Sequence, residues 1–91
     1  MTYRIVWTPE MEVRLAVVYL HALETGGDAA SVTRASADID RRLERNPSEE
    51  GESREGRTRV AISGSLMVTF EVDEAQRMVS ILWIHDLTPR R

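Results

Sequence analysis

The order of apolar and polar positions divides the chain into a short strand, two amphipathic helices and three further strands. Tyr3-Arg4-Ile5-Val6-Trp7 is rich in β-branched and aromatic residues and predicts a strand. Thr8-Pro9-Glu10 ends it and opens a helix: threonine can accept a free backbone N–H, proline suits the first helical position, and glutamate suits the positive end of the helix dipole. Met11, Leu15, Val18, Ala22 and Leu23 then recur at helical spacing as an apolar face, with Glu12, Arg14 and Glu24 lying away from it. Gly26-Gly27 stops this helix, and Asp28 is placed to cap a second. There Val32, Ala35, Ile39 and Leu43 recur against the polar run Asp38, Asp40, Arg41, Arg42 and Glu44. So short a connection predicts an antiparallel helical hairpin.

Residues 48–56 contain no apolar side chain and predict an exposed loop. A strand is expected over 57–63, a turn at Gly64-Ser65, and a second strand over 66–72, where Leu66, Val68, Phe70 and Val72 alternate with Met67, Thr69 and Glu71. A turn at residues 73–76 leads to a last strand over 78–84. Simple alternation puts Val79, Ile81 and Trp83 on one face and Met78, Leu82 and Ile84 on the other, so this strand predicts burial on both sides or an awaited partner. The resulting fold class is α+β: an N-terminal strand, an antiparallel helical hairpin, then a three-stranded antiparallel meander forming one small sheet. One domain over 1–85 and a flexible tail over 86–91 are expected.

Composition narrows the chemistry. With no cysteine among its 91 residues, the chain has no disulfide, thiolate zinc site or cysteine nucleophile. It shows neither a secretory leader nor an apolar run of membrane-spanning length, which predicts a soluble, cytoplasmic protein without a membrane association. The net charge of -3 argues against broad electrostatic binding of nucleic acid. All 12 basic residues are nevertheless arginine, so any local positive patch can make bidentate contacts to phosphate or carboxylate. The acidic stretch Glu49-Glu50-Gly51-Glu52 lacks the ligand spacing of a calcium loop, and no metal or cofactor is expected.

Several short motifs resemble the RelE/ParE toxin superfamily. Trp7-Thr8-Pro9 is similar to the family's strand-to-helix entry, and Leu43-Glu44-Arg45-Asn46-Pro47 to the close of its second helix. Gly51-Glu52-Ser53-Arg54, then Arg57 and Arg59, resemble its entry into the sheet. Residues 66–73, followed by Arg77 and Val79-Ser80-Ile81-Leu82, resemble its central hairpin. The resemblance implies the toxin of a type II toxin-antitoxin system, neutralised by a cognate antitoxin and inhibiting growth through messenger RNA cleavage on the ribosome or through DNA gyrase. It implies bacterial stress-response biology as well.

For the endoribonuclease branch, the resemblance implies catalytic roles for Arg57, Arg59 and His85. RNA cleavage needs cationic groups on the phosphate and groups that move protons. The chain departs from that pattern at Met67, where a second arginine is expected, and at Phe70, where an enzyme of this kind often carries tyrosine. The alternative is a non-catalytic, non-toxic binding module of the same fold that acts only through its protein partner. On that reading Arg57 and Arg59 are solvated sheet residues paired with acids such as Glu71, and His85 is an exposed strand-end histidine.

Overall fold

The computed structural model describes residues 2–50, 52–53 and 58–88. The elements are β1 (Arg4–Val6), α1 (Pro9–Glu24), α2 (Ala29–Arg45), a 3-10 turn (Pro47–Glu49), β2 (Glu52–Ser53), β3 (Thr58–Ser63), β4 (Leu66–Asp73) and β5 (Met78–Asp86). The helix boundaries follow local chemistry. Thr8 Oγ1 accepts the Met11 N–H at 3.2 Å and Asp28 Oδ1 the Ser31 N–H at 3.1 Å, each satisfying a donor that a helix start leaves unpaired. Gly26, at φ +72°, takes the left-handed conformation that lets the Gly27 N–H turn back to the Ala22 carbonyl at 2.8 Å.

The two helices and the sheet make an α+β fold. Among the described residues the sheet has five strands in the order β1-β5-β4-β3-β2, and it is mixed rather than wholly antiparallel. β3–β4 and β4–β5 pair antiparallel, whereas β1 lies parallel to β5, with Ile5 opposite Val79. β1 and β5 are the first and last strands, separated in the chain by both helices and by β2, β3 and β4, so no tight turn imposes antiparallel pairing on them. At the other edge β2 pairs with β3 through Glu52 opposite Val60.

The core lies between helices and sheet. Ile39 and Leu43 from α2 meet Val68, Phe70, Val79, Ile81 and Ile84, all essentially inaccessible to water. A register shift at Thr69/Phe70 decides which residues of β5 join them. Ile81 lies opposite Phe70 and Trp83 opposite Thr69, so Leu82 is an extra residue on the β5 side, a β-bulge. The bulge reverses the phase of alternation. Ile84, not Trp83, therefore continues the buried row begun by Val79 and Ile81, while Leu82 and Trp83 are exposed. This corrects the expectation of simple alternation through the last strand.

Three further expectations change. Within the expected loop 48–56, Ser48 and Glu49 are exposed as read, but the 3-10 turn Pro47–Glu49 opens it, Glu50 is half-buried, and β2 joins the sheet; residues 51 and 54–56 lie outside the described set. β5 extends through Asp86, and the Leu87 N–H reaches the Ser65 carbonyl at 2.7 Å, so the strand layer continues into the supposed tail; residues 89–91 lie outside the described set. Finally, Leu23 is exposed rather than part of α1's buried face. That helix buries only Met11 fully, and it presents Val13, Val17 and Leu20, 64%, 58% and 52% accessible, along its outer side. These three recur at i, i+4 and i+7 and form one stripe.

Candidate functional site

Cross-strand register assigns each sheet residue to a face, because partners in a ladder point the same way and neighbours along a strand alternate. Arg59 is opposite the buried Phe70, and Ala61 is opposite the buried Val68, so Arg59 belongs to the helix-covered face. Its Nε donates to the Glu50 carbonyl at 3.0 Å, tying β3 to the segment that follows α2. Ser63, two steps further along the same face, donates to Asp38 Oδ2 of α2 at 2.9 Å.

His85 is opposite Met67 and points to the other, open face, where its ring meets Trp83 edge-on at 6.4 Å. Arg59 and His85 thus lie on opposite sides of the sheet, and the structure does not bring these two candidates together. Arg57 lies outside the described residues. Glu71 is opposite Thr58 and faces the open side, away from Arg59.

The open face contains four cross-strand rows: Ile62–Met67–His85, Val60–Thr69–Trp83, Thr58–Glu71–Ser80 and Asp73–Met78–Arg4. Arg4, the arginine among these positions, lies at the opposite end of the face from His85. The exposed apolar members of the rows are Ile62 and Trp83, with the bulged Leu82 beside them. Trp83 is shielded on one side by the Arg14 guanidinium, 3.8 Å from the ring centre, whose Nε also donates to the Ile84 carbonyl at 2.7 Å. β1 pairs only with residues 78–80 of β5, so Arg14 caps a carbonyl on a stretch of strand that β1 leaves uncovered.

Two polar clusters hold the helix layer in place. Arg42 of α2 spans three elements: its Nε and Nη2 donate to Glu50 Oε2 at 3.0 and 2.9 Å, and its Nη1 to Asp38 Oδ2 at 3.1 Å and the Ile62 carbonyl at 2.9 Å. Hydrogen bonds from Ser63 and Arg42 hold the Asp38 carboxyl below its ordinary range. At the opposite edge Glu74 accepts from Ser48 and, at 2.5 Å, from Tyr3, and these bonds lower its carboxyl in the same way. In both clusters the polar groups are engaged with one another across elements, which marks them as structural ties.

Two concavities stand out: a smaller one of about 230 Å³ where Val13, Arg14 and Val17 of α1 meet Trp83, and a groove of about 410 Å³ between α1 and α2. Glu12 and Asp40 stand at one end of the groove and Tyr19 and Val32 at the other, as two helices running in opposite directions require. Trp7, Leu15, Ala16 and Val32 supply apolar walls, and the lining contains no basic side chain. Asp40 Oδ1 accepts the Trp7 indole N–H at 2.8 Å. Burial holds this carboxyl above its ordinary range, the Trp7 bond opposes that, and nearby Glu44 adds to it.

The sequence puts Asp40 in the polar run of α2 and Trp7 on a strand face expected to be core. The available signal was an aspartate one residue beyond Ile39, on the flank of α2's apolar stripe, together with an indole that needs a hydrogen-bond acceptor when partly buried. Among the described residues there is no cluster of three or more histidine, aspartate or glutamate side chains able to hold a metal, and no helix is long and apolar enough to cross a membrane. Comparison of the chain with protein-family models, with curated proteins and with solved structures finds no match.

Proposed function

We propose that this chain is a RelE/ParE-like toxin that inhibits growth by binding a protein target, in the manner of the gyrase-directed branch, and that a cognate antitoxin neutralises it. The observation that supports a binding mechanism over RNA cleavage is the placement of Arg59 and His85 on opposite faces of one sheet, with Arg59 engaged by the Glu50 carbonyl. Groups that must act on one phosphate have to converge on it, and these two do not. A surface suited to a partner is present as well: the Val13, Val17 and Leu20 stripe leaves a row of apolar side chains in water.

The test is to induce the chain alone in a bacterial host and follow uptake of labelled precursors into protein and DNA over the first minutes. The proposal expects DNA synthesis to fall first and His85→Ala to arrest growth as well as the parent chain. An earlier fall in protein synthesis, with message cleavage lost in Arg59→Ala, would establish the endoribonuclease instead. If neither synthesis falls while folded protein accumulates, the chain is the non-toxic binding module.

A further inference from the structure

We propose that the groove between α1 and α2 receives a basic side chain, arginine or lysine, projecting from the apolar face of a helix in a partner protein. The inference rests on the partner-binding reading above and adds the chemistry by which the partner is selected. Three observations on the groove carry it.

Its charge is of one sign. Glu12 and Asp40 both line it, and no basic residue does. A phosphate or an acidic peptide would meet two carboxylates, whereas a guanidinium or ammonium group meets a complementary field.

Asp40 also has an oxygen open to a ligand. Its Oδ1 takes the Trp7 N–H, while Oδ2 accepts no hydrogen bond from any described residue and stays accessible at the groove. Partial burial makes this carboxyl harder to ionise than usual, and a cationic donor at Oδ2 would favour its charged form. An arginine or lysine can reach that oxygen while its methylene stem covers Trp7 and Leu15 and its charge faces aromatic rings.

The third observation is shape. The walls extend from Glu12 to Tyr19 along α1, roughly 10 Å at the rise of an α-helix, which is about two turns. A trough of that length between two helices matches a third helix presenting side chains at i, i+3 and i+4, and the apolar walls suit the neighbours of the basic residue.

The experiment selects helical peptides from a displayed random library on the intact folded chain. The expected winners carry a basic residue at one fixed position, with apolar residues three or four places away. They should shift the Trp7 indole N–H signal in nuclear magnetic resonance spectra and lose roughly tenfold or more in affinity on Asp40→Asn. Asparagine keeps an oxygen for the Trp7 N–H, so this variant preserves the wall while removing the charge. Ala16→Trp, which fills the trough, should abolish binding and serves as the deciding variant if Asp40→Asn does not fold.

Absence of any enriched sequence, enrichment without a basic position, equal affinity for Asp40→Asn, or binding undiminished by Ala16→Trp would each overturn the proposal. Loss of growth arrest with peptide binding intact removes the toxin reading alone.

Discussion

The Trp7 indole N–H donates to Asp40 Oδ1 at 2.8 Å, joining the end of β1 to the middle of α2 across the mouth of the groove. Burial raises the Asp40 carboxyl above its ordinary range, so between the unfolded value, about 3.9, and its folded value the native chain holds that proton more tightly than the unfolded chain does. The contribution of Asp40 to stability therefore weakens as pH rises through that window and is least favourable at neutral pH. Asp38 and Glu74, both held low, act in the opposite sense: their contributions are present above the unfolded carboxylate value and are lost as pH falls through their folded values. Asp40→Asn should be more stable than the parent chain at neutral pH, and this advantage should shrink in acid. Urea unfolding at about pH 7 and about pH 3 measures both, and an advantage that grows in acid would contradict the assignment.

Arg42 is the clearest structural tie. It is about two-thirds sequestered and makes charge-assisted bonds to α2's Asp38 and to Glu50, plus one to the β3 carbonyl of Ile62. Arg42→Ala should cost about 1–3 kcal/mol, because it removes those bonds and leaves the half-buried Glu50 carboxylate without its partner, while Asp38 keeps Ser63 and Arg41. Arg42→Lys should recover less than half, since one ammonium cannot replace the Nε–Nη2 pair on Glu50. Chemical denaturation of the three proteins measures the order.

The parts of the fold legible in the sequence are those set by near neighbours. Thr8, Asp28 and Gly26 announce helix ends through local hydrogen bonds and backbone conformation, and the α2 stripe Val32, Ala35, Ile39 and Leu43 is buried as its spacing requires. What was illegible depends on residues distant in sequence. The run Ser80-Ile81-Leu82-Trp83-Ile84 fits two phases, and only the pairing of Thr69 and Phe70 with Trp83 and Ile81 selects the one that buries Ile84. Residues 48–50 show no apolar signal because Glu50 is held by Arg42 rather than by burial. The groove is a property of two helices together, and the parallel contact of β1 with β5 joins opposite ends of the chain.

Phe70 offers a direct test of whether the fold has room for the tyrosine hydroxyl that the resemblance to RNA-cleaving toxins leads one to expect at this position. It is fully buried between β3 and β5, opposite Arg59 and Ile81, on the helix-covered face. Phe70→Tyr would place a phenolic hydroxyl in that packed layer and should destabilise the chain by about 1–3 kcal/mol without creating message cleavage. Unfolding measurements together with a cleavage assay in a translating extract check both parts. A neutral change in stability would mean that a polar partner or open space lies at the ring's para position.

The outer stripe of α1 separates the requirements of folding from those of binding. Val17 and Leu20 are mostly in water, so replacing both with glutamate removes little packing and leaves the helix backbone with good helix-forming residues. Stability should change by no more than about 1 kcal/mol, and solubility should rise as the apolar row is broken. If the stripe contacts the protein target, the same double variant should cease to arrest growth while unfolding at nearly the parent's denaturant concentration. Equal arrest by a correctly folded double variant would move the target contact away from α1, to the open face of the sheet around Ile62, which is also exposed.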